Sequence, residues 1–458
     1  MNKIINEKKC GWKDINDDIK NEILDFSKNY IDFLNECKTE RECSSFIVEK
    51  LRENGFKDIN SINEIKEGDK VYFNNRNKSI YAAIIGNEKL ENGINLIGSH
   101  IDSPRLDLKP NPLYEDAKLA LFKTHYYGGI KKYQWTTIPL AIHGVIVKPN
   151  GDKIQIKIGE DENDPVFTIT DLLPHLAQEQ YEKNLRKAIE GEDLNILIGS
   201  IPNDNNSIKE NIMTIINNKY DINEIDFYSS ELEVVPAFKA RNLGFDNSMV
   251  AGYGQDDRVC SYCNLMAIIN ANKNNRTMVS IFSDKEEIGS MGNTGMESEM
   301  FDLFINELLN KTNVNYPGAI NKLYSNSTML SADVGAGVDP NYKQASEENN
   351  ASYIGYGVEL NKYTGSRGKS GSSDANAEFV AKVRNIFESN NVTYQVSELG
   401  KVDLGGGGTI AYILANKGMD VIDCGVPIIS MHSPFEVSSK YDIYSAYKGY
   451  KSFFENRK

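Results

Sequence analysis

The sequence lacks the features that mark several classes of protein. Its 458 residues contain six scattered cysteines, too few for a disulfide framework. The net charge of −14 is spread along the chain, without the basic stripe of a nucleic-acid-binding surface. No apolar run approaches the ~18 residues of a membrane span, and the first twenty residues have no apolar core of a secretory signal. We therefore expect a folded, reduced, cytoplasmic protein that binds neither nucleic acid nor membrane.

Motifs of nucleophilic and phosphate-binding sites are missing as well. There is no GxSxG elbow and no Cys–His motif. The glycines at 405–408 are not followed by GK[ST], so we interpret them as a tight turn before a helix that begins near Thr409. Cys260 and Cys263 form a lone CxxC without the second pair that a structural zinc site needs. Because positions i and i+3 share a helix face, we predict an amphipathic helix with two buried cysteines there.

The sequence does contain α/β patterning, interrupted by a β-rich segment. Residues 17–55 carry apolar side chains at helical spacing with a break near Lys38–Thr39, and "KVYFNNRNKSIYAAIIG" predicts a hairpin. Between 110 and 236, "QWTTIPLAIHGVIVKPNGDKIQIKIG" alternates with the period of two that is typical of strands. Helices then alternate with short apolar strands. We predict one α/β domain, residues 1–108 and 238–458, with a β-rich insert at 109–237.

Imidazole and carboxylate groups follow several of the predicted strands. Open α/β sheets bind ligands at the carboxyl ends of their strands, so we expect these groups to converge on one edge. Each group considered alone has an ordinary structural interpretation. A histidine at a strand end is usually a hydrogen-bonded core residue, an aspartate there usually caps a helix, and a Glu-Glu pair usually lies in a solvated turn. Together, crowded carboxylates would repel one another unless a divalent cation, or two, lay between them. The residues are His100, Asp102, Asp256, Asp257, Asp284, Glu286, Glu287, Asp333 and His432.

This set of groups suits metal-assisted hydrolysis. Mixed imidazole and carboxylate ligands fit zinc, cobalt or manganese better than calcium or magnesium. A metal lowers the pKa of bound water toward ~7, and a nearby carboxylate can take the proton. Of the adjacent glutamates Glu286 and Glu287, one could bind metal while the other acts as the base.

These residues lie in five short segments, "GSHIDSPRLDLKP", "DDR", "SDKEEIGS", "SADVGAG" and "MHSPFE". In the same order and over most of the chain, the five segments resemble the M18 family of metalloaminopeptidases, which includes aspartyl aminopeptidase and vacuolar aminopeptidase I. The resemblance implies the co-catalytic zinc peptidase fold, a mixed central sheet flanked by helices with an inserted β-rich dimerisation domain. It also implies two divalent metal ions per subunit, zinc first, with cobalt or manganese as alternatives.

The family's ligand roles carry over to five positions of this sequence. By the resemblance Asp256 would bridge the two metals. His100 and Asp333 would complete the ligands of the first metal. Glu287 and His432 would complete those of the second.

Three further residues carry catalytic roles by the same resemblance. Glu286 would be the general base, and Asp102 would orient His100. "DLLPHLAQEQ" is similar to the family's PHLA stretch, so His175 would enter the neighbouring subunit's active site and stabilise the oxyanion there. A plain surface histidine at a helix start is the alternative. His125 and His143 have no such match, and we take them as structural.

Substrate contacts are less well defined by the sequence. "LGGGGTIAYILANKG" also resembles the family, so Gly406 and Gly407 would lie against substrate, with a plain turn into a helix as the alternative. Lys362, Arg367 and Lys369 are candidate cations for an acidic first side chain, although their segment departs from the family pattern and solvated loop charges remain the alternative. Both acidic and neutral first residues therefore stay open.

The resulting prediction is a two-metal aminopeptidase that removes the N-terminal residue from peptides through a metal-bound hydroxide and a glutamate base. By the resemblance it would be a homo-oligomer whose dimers assemble to a dodecamer. One alternative is a metal-dependent N-acyl or amide hydrolase, which would share every ligand but need no free amine. The other is a non-catalytic oligomeric scaffold, which would tolerate loss of Glu286.

Overall fold

The chain divides into two compact units. The computed structural model describes residues 4, 7–272, 275–365 and 367–456. The first unit runs to Asp102, continues over Ala240–Met431 and ends with the segment from Phe435 onward. The second unit consists of Ser103–Lys239 and His432–Pro434.

The strands are short and spread over both units. In chain order they are β1 (Lys57–Asp58), β2 (Lys70–Asn75), β3 (Ser79–Ile84), β4 (Asn95–His100), β5 (Arg105–Asp116), β6 (Leu119–Tyr127), β7 (Leu140–Val147), β8 (Lys153–Ile158), β9 (Ile196–Gly199), β10 (Ser230–Pro236), β11 (Arg241–Leu243), β12 (Met249–Gly252), β13 (Met278–Ser283), β14 (Thr328–Ser331), β15 (Gly335–Ala336), β16 (Val358–Asn361), β17 (Tyr394–Ser397), β18 (Asp420–Gly425), β19 (Pro427–Ile429) and β20 (Glu436–Ser439).

Most of the long helices belong to the first unit. In chain order the helices are α1 (Asp17–Glu36), α2 (Glu40–Glu53), α3 (Gln178–Tyr181), α4 (Leu185–Ala188), α5 (Ile208–Tyr220), α6 (Gln255–Asn270), α7 (Met300–Lys311), α8 (Ala319–Ser325), α9 (Ala377–Ser389), α10 (Ala411–Ala415) and α11 (Lys440–Phe454). Within the described residues, none of them combines the length and the apolar character that a membrane crossing requires.

A nine-stranded mixed sheet forms the centre of the first unit, in the order β1-β2-β3-β13-β4-β14-β18-β16-β17. Its middle strands β13, β4, β14 and β18 run parallel. Successive residues point to opposite faces, so Ile97 joins one hydrophobic core and Leu96 the other. The sheet is therefore covered by helices on both faces, as its near-continuous apolar strands predict.

Local sequence signals account for the first elements of this unit. Asn16 caps α1 by accepting the Ile19 N–H, and Thr39 caps α2 in a capping box with Glu42. The predicted helix break at Lys38–Thr39 is confirmed. The predicted hairpin is also present as β2 and β3, whose turn places Arg76 and Asn77 at positive φ.

The insert is β-rich, as predicted, but it begins earlier than expected. A six-stranded sheet in the second unit has the order β8-β7-β10-β5-β6-β9. Strand β5 already begins at Arg105 and pairs antiparallel with β6 and β10. The second unit therefore starts at Ser103 rather than at residue 109. The first unit has in addition a five-stranded sheet, β11-β12-β20-β19-β15.

The helix that carries the CxxC is not amphipathic, contrary to the prediction. Nearly all of α6 is buried, including Cys260 and Cys263, whose thiols are free. Several of its polar side chains are buried and bonded to the sheet. Asn264 donates to the Ile97 carbonyl at 3.2 Å, and Ser261 donates to the His100 carbonyl at 2.7 Å. The helix packs along the sheet directly behind the end of β4.

Candidate metal centre

Three parallel strands of the nine-stranded sheet end at the same edge. Strand β4 ends at His100, which pairs with Ser283 at the end of β13. Strand β14 ends at Ser331, which pairs with Gly98 of β4. The chain that leaves β13 forms a short 3₁₀ helix at Glu286–Ile288, and Asp333 follows β14. The sheet therefore brings the predicted imidazole and carboxylates of these strands together.

His100 lies at the centre of the cluster and is fully buried. Its Nε2 atom faces three carboxylates, at 3.2 Å from Asp256 Oδ1, 3.8 Å from Glu286 Oε2 and 3.8 Å from Asp333 Oδ1. Its Nδ1 atom faces the other way, 3.0 Å from the Asp102 carbonyl oxygen and 3.2 Å from Asp102 Oδ1. The ring therefore presents Nε2 to the carboxylates while Asp102 holds Nδ1, which is how a metal-ligating histidine is usually oriented.

The donor atoms fall into two groups that could each hold a metal ion. In each group the ligand atoms lie within 4.8 Å of one another. One group is His100, Glu286 and Asp333; the other is His100, Asp256 and Glu287. Oxygen and imidazole nitrogen donors in this combination suit zinc.

The electrostatics of the cluster fit a bound cation. Burial raises the pKa of Asp333 well above its usual range, and the negative charge of Glu286 raises it further. Burial alone would lower the pKa of His100, but its hydrogen bonds to Asp102 and Asp256 outweigh burial and raise it well above its usual value. The carboxylates therefore disfavour one another's negative charge and favour a positive charge beside them. A divalent ion would remove this repulsion and suit every donor present.

Asp102 connects the histidine to both glutamates. Its Oδ1 accepts the backbone N–H of Glu286 at 3.1 Å, and its Oδ2 accepts that of Glu287 at 3.2 Å. These two N–H groups point the same way because Lys285, at φ 66°, turns the chain sharply after β13. The sequence suggests only the contact of Asp102 with His100. Its contacts with Glu286 and Glu287, which follow 184 and 185 positions later in the chain, cannot be predicted from the local sequence.

Two further carboxylates support the cluster through the backbone: Asp257, which was expected among the converging groups, and Glu436, which was not singled out from the sequence. Asp257 Oδ2 accepts the backbone N–H of His100 at 3.2 Å. Glu436 Oε2 accepts the backbone N–H of Asp256 at 3.1 Å. Both side chains are buried. Their presence in the quoted segments "DDR" and "MHSPFE" was the one available signal.

Asp284 was predicted to join the cluster, but its carboxylate is directed elsewhere. Its Oδ2 accepts the hydroxyl of Thr294 at 2.5 Å. Burial, and then the charges of Glu40 and Asp102, raise the pKa of Asp284 to about 7. Asp284 does not belong to either group of possible metal ligands.

The remaining histidines all lie in the second unit. His432 Nδ1 is 2.9 Å from the Gly129 carbonyl oxygen, which in the neutral tautomer leaves the ring's lone pair on Nε2. His175 is exposed in a 3₁₀ helix, Pro174–Leu176. His143 is buried with Nε2 3.0 Å from Glu160 Oε1, which suits the structural role predicted for it. The Nδ1 of His125 lies 2.9 Å from the carbonyl oxygen of the adjacent Tyr126.

The predicted substrate-binding residues lie around one loop of the first unit. The Gly407 carbonyl accepts the Gly365 N–H at 3.2 Å, and the Val402 carbonyl accepts the Arg367 N–H at 2.8 Å. Gly406 has φ 121°, which favours glycine. Helix α10 follows this loop at Ala411, two residues later than predicted.

Of the three candidate cations, Arg367 and Lys369 lie near this loop, and Lys362 Nζ is 2.8 Å from Asp374 Oδ1. Lys369 Nζ is 3.2 Å from Asp374 Oδ2 and 3.7 Å from the centre of the Tyr363 ring. Arg367, Lys369 and Gly405 line a cavity of about 170 Å³. Among the described residues, no side chain of the His100 cluster lines it.

A mixed α/β sheet that carries one buried imidazole and converging carboxylates at its strand ends defines a metallohydrolase. The model of the family "Aminopeptidase I zinc metalloprotease (M18)" matches residues 33–454. The chain therefore belongs to the M18 family of zinc metalloproteases, which are aminopeptidases.

Individual relatives cover nearly the whole chain. "Probable M18 family aminopeptidase 1" of Clostridium acetobutylicum is 51% identical over 99% of this chain and 100% of that protein. The crystal structure of an M18 aminopeptidase from Thermotoga maritima is 45% identical, covers 98% of this chain and 100% of its own, and superposes with a TM-score of 0.95. The mApe1 dodecamer of S. cerevisiae shares the fold at 22% identity, with a TM-score of 0.76 over 96% of this chain and 97% of that chain. The predicted family, fold class and enzyme class are thereby confirmed.

Proposed function

We propose that this aminopeptidase uses two divalent metal ions to remove an acidic or neutral N-terminal residue from peptides. The observation that carries this proposal is the position of His100, whose Nε2 faces three carboxylates at 3.2 to 3.8 Å. The two overlapping groups of donors both include His100. One imidazole nitrogen ligates one ion, so a second ion beside the first would depend on the carboxylates that surround the ring.

The ligands would be those that the family resemblance implies. Asp256 would bridge the two ions, with His100 and Asp333 on one of them. Glu287 and His432 would complete the other. His100 and His432 each have Nδ1 at hydrogen-bonding distance from a backbone carbonyl, at 3.0 and 2.9 Å, which orients Nε2 as the ligand nitrogen.

Bound metal ions would supply Lewis-acid polarisation of the scissile carbonyl and would acidify the attacking water. Glu286 would take the proton from that water and deliver it to the leaving amine. The contact of its backbone N–H with Asp102 supports this role, because it fixes the residue relative to His100. His175 of a neighbouring subunit would stabilise the oxyanion of the tetrahedral intermediate.

The loop before α10 would hold the substrate. Tyr412, in the first turn of α10, donates to Glu297 at 2.5 Å. Burial and this hydrogen bond, with a contribution from the charge of Glu286, raise the pKa of Tyr412 to about 12. This contribution of Glu286 to the pKa of Tyr412 supports a position of the loop close to the proposed base, Glu286. Gly406 and Gly407 would therefore contact the peptide backbone, and Arg367 and Lys369 would lie near the first side chain.

A homo-oligomer is part of the proposal, because His175 acts only on another subunit. The segment around it exposes several apolar side chains, among them Leu173, Leu176 at 67% and Leu185 at 62%. Exposed apolar patches of this kind mark protein interfaces. The relative from S. cerevisiae is a dodecamer, which supports dimers that assemble further.

Hydrolysis of short peptides that begin with Asp, Glu, Leu or Lys tests the proposal. Each peptide is assayed free and N-acetylated, after chelation and again with zinc, cobalt or manganese restored. Metal-dependent cleavage of the free peptides alone is expected. Cleavage of acetylated peptides would instead favour the acyl hydrolase, and the absence of cleavage with every metal would favour a scaffold.

A further inference from the structure

The segment that presents Asp256 is not held by regular helix geometry. Asp256 (φ −79°, ψ 109°) and Asp257 (φ −113°, ψ 28°) are non-helical inside the first turn of α6. The first N–H groups of a helix have no intrahelical acceptor in any case. Something else must therefore fix the direction in which the Asp256 carboxylate points.

Strand β20 supplies this fixation through Glu436. Glu436 Oε2 accepts the Asp256 N–H at 3.1 Å. Glu436 is itself anchored, because it is 1% exposed and pairs with Gly252 of β12. A carboxylate acceptor forms a stronger hydrogen bond to a backbone N–H than a neutral one does.

The residue before Asp256 is clamped to the same strand. Gln255 Nε2 donates to the Glu436 carbonyl at 2.6 Å and to the Val250 carbonyl at 3.2 Å. Gln255 Oε1 accepts the hydroxyls of Ser438 at 2.5 Å and Tyr30 at 3.2 Å. This buried amide thus has two acceptors for its two N–H groups and two donors for its oxygen. Gln255 and the Asp256 backbone are therefore both tied to β20.

We propose that Glu436 is a positioning residue for Asp256 and thereby sets the affinity of the metal centre. This rests on the proposed function, in which Asp256 bridges the two ions. Metal sites tolerate ligand displacements of only about 0.2 Å. A small rotation of the backbone at Asp256 would therefore move its carboxylate out of bonding distance of one ion or both.

The test compares two substitutions of Glu436 in the full-length protein. Glu436→Gln keeps an oxygen acceptor, whereas Glu436→Met has a similar length and offers none to the Asp256 N–H. Zinc affinity is measured by competition with a chromogenic chelator, and the absorption spectrum of the cobalt-loaded protein reports the coordination. We expect Met to lower zinc affinity by about tenfold to hundredfold and to change the cobalt spectrum. Gln is expected to stay close to the parent protein.

Asp442 provides the matched control. It too is a buried carboxylate of the first unit that accepts backbone N–H groups, those of Gly355 and Gly357, both at 2.6 Å. Asp442→Asn is expected to lower stability, because one of the two N–H groups would then face a donor, but to leave the zinc affinity of the folded protein unchanged. If Glu436→Met binds zinc as tightly as the parent protein with the same cobalt spectrum, Glu436 has no positioning role.

Two further measurements separate the possible failures. Asp256→Asn should abolish tight zinc binding; if it does not, the proposed ligand set is wrong, whatever the Glu436 variants do. If Glu436→Met does not fold, hydrogen exchange of the metal-free parent protein tests the role of Glu436 instead. The Asp256 amide is expected to be protected like the strand amides around it, and exchange as fast as an exposed amide would overturn the inference.

Discussion

Replacing Asp102 with asparagine should weaken metal binding and slow turnover together. Asp102 is completely buried, and its two carboxylate oxygens accept the N–H groups of Glu286 and Glu287 at 3.1 and 3.2 Å. Asparagine has the same shape but offers one oxygen and one NH₂ group. One of the two N–H groups would then face a donor.

The size of the effect follows from that mismatch. A buried donor left without an acceptor costs about 1–3 kcal/mol, and each 1.4 kcal/mol is about tenfold in an equilibrium constant. The variant also removes one negative charge near His100 Nδ1, 3.2 Å away, so metal-ion binding gains less from the cluster. We expect zinc affinity to fall about tenfold to hundredfold, the range seen when groups that orient metal ligands are removed.

Chelator competition measures this affinity, and steady-state hydrolysis with saturating zinc measures the second consequence. With the metal sites filled, kcat should still fall with little change in KM, because Glu286 is displaced relative to the reacting carbonyl. Asp107→Asn makes the same change at a half-exposed aspartate paired with Arg105 at 2.8 Å, and it should change neither quantity. An Asp102→Asn variant with parental zinc affinity and kcat would refute the reasoning.

Three more predictions concern other residues. Glu286→Ala should abolish peptide hydrolysis while elemental analysis finds the metal content intact; a rate near that of the parent protein would remove Glu286 as the base. His175→Ala should lower kcat by about 10²-fold or more, and mixed oligomers of this variant with Glu286→Ala should regain turnover; no recovery would count against a role in trans. Burial raises the pKa of Asp423 from 3.8 to about 6. The unfolding free energy should therefore fall as the pH rises from about 4 to 6, by up to about 3 kcal/mol. Asp423→Asn removes this titration, so its unfolding free energy in urea, relative to the parent protein, should increase over that interval; a pH-independent difference would contradict the prediction.

The strand ends could be predicted from the sequence because the relevant signal is local. Apolar runs stop abruptly at His100 and shortly before Glu286 and Asp333, and β4, β13 and β14 end there. Parallel neighbours share an edge, so these residues had to meet once the α/β pattern was recognised. The pattern does not specify which oxygen faces which nitrogen. Asp284 was expected in the same cluster, but it does not join it, because its carboxylate accepts the hydroxyl of Thr294.

Helix α6 shows why burial is harder to predict than position. An amphipathic helix, as predicted here, would turn polar residues such as Ser261 and Asn264 toward solvent. Both instead bond to the sheet, Asn264 to the Ile97 carbonyl and Ser261 to the His100 carbonyl. Such partners lie more than 150 residues away in the sequence. No periodicity reveals them.

The carboxylates of this centre serve two different purposes, which the atoms that they face distinguish. Those of Asp102, Asp257 and Glu436 accept backbone N–H groups, from Glu286 and Glu287, from His100 and from Asp256 respectively. Those of Asp256, Glu286 and Asp333 face the Nε2 atom of His100.

This difference implies different responses to amide substitution. A carboxylate that accepts one backbone N–H needs an oxygen there, which an amide still supplies, so Asp257→Asn and Glu436→Gln should be tolerated. Asp102 accepts two N–H groups with its two oxygens, so it should not tolerate the change. A proposed metal ligand needs its charge as well as its oxygen, because that charge offsets the cation's desolvation. Asp256→Asn and Asp333→Asn should therefore lose metal even where their geometry is unchanged. The loss of metal binding on amide substitution thus distinguishes a carboxylate that binds the metal from one that accepts a single backbone N–H.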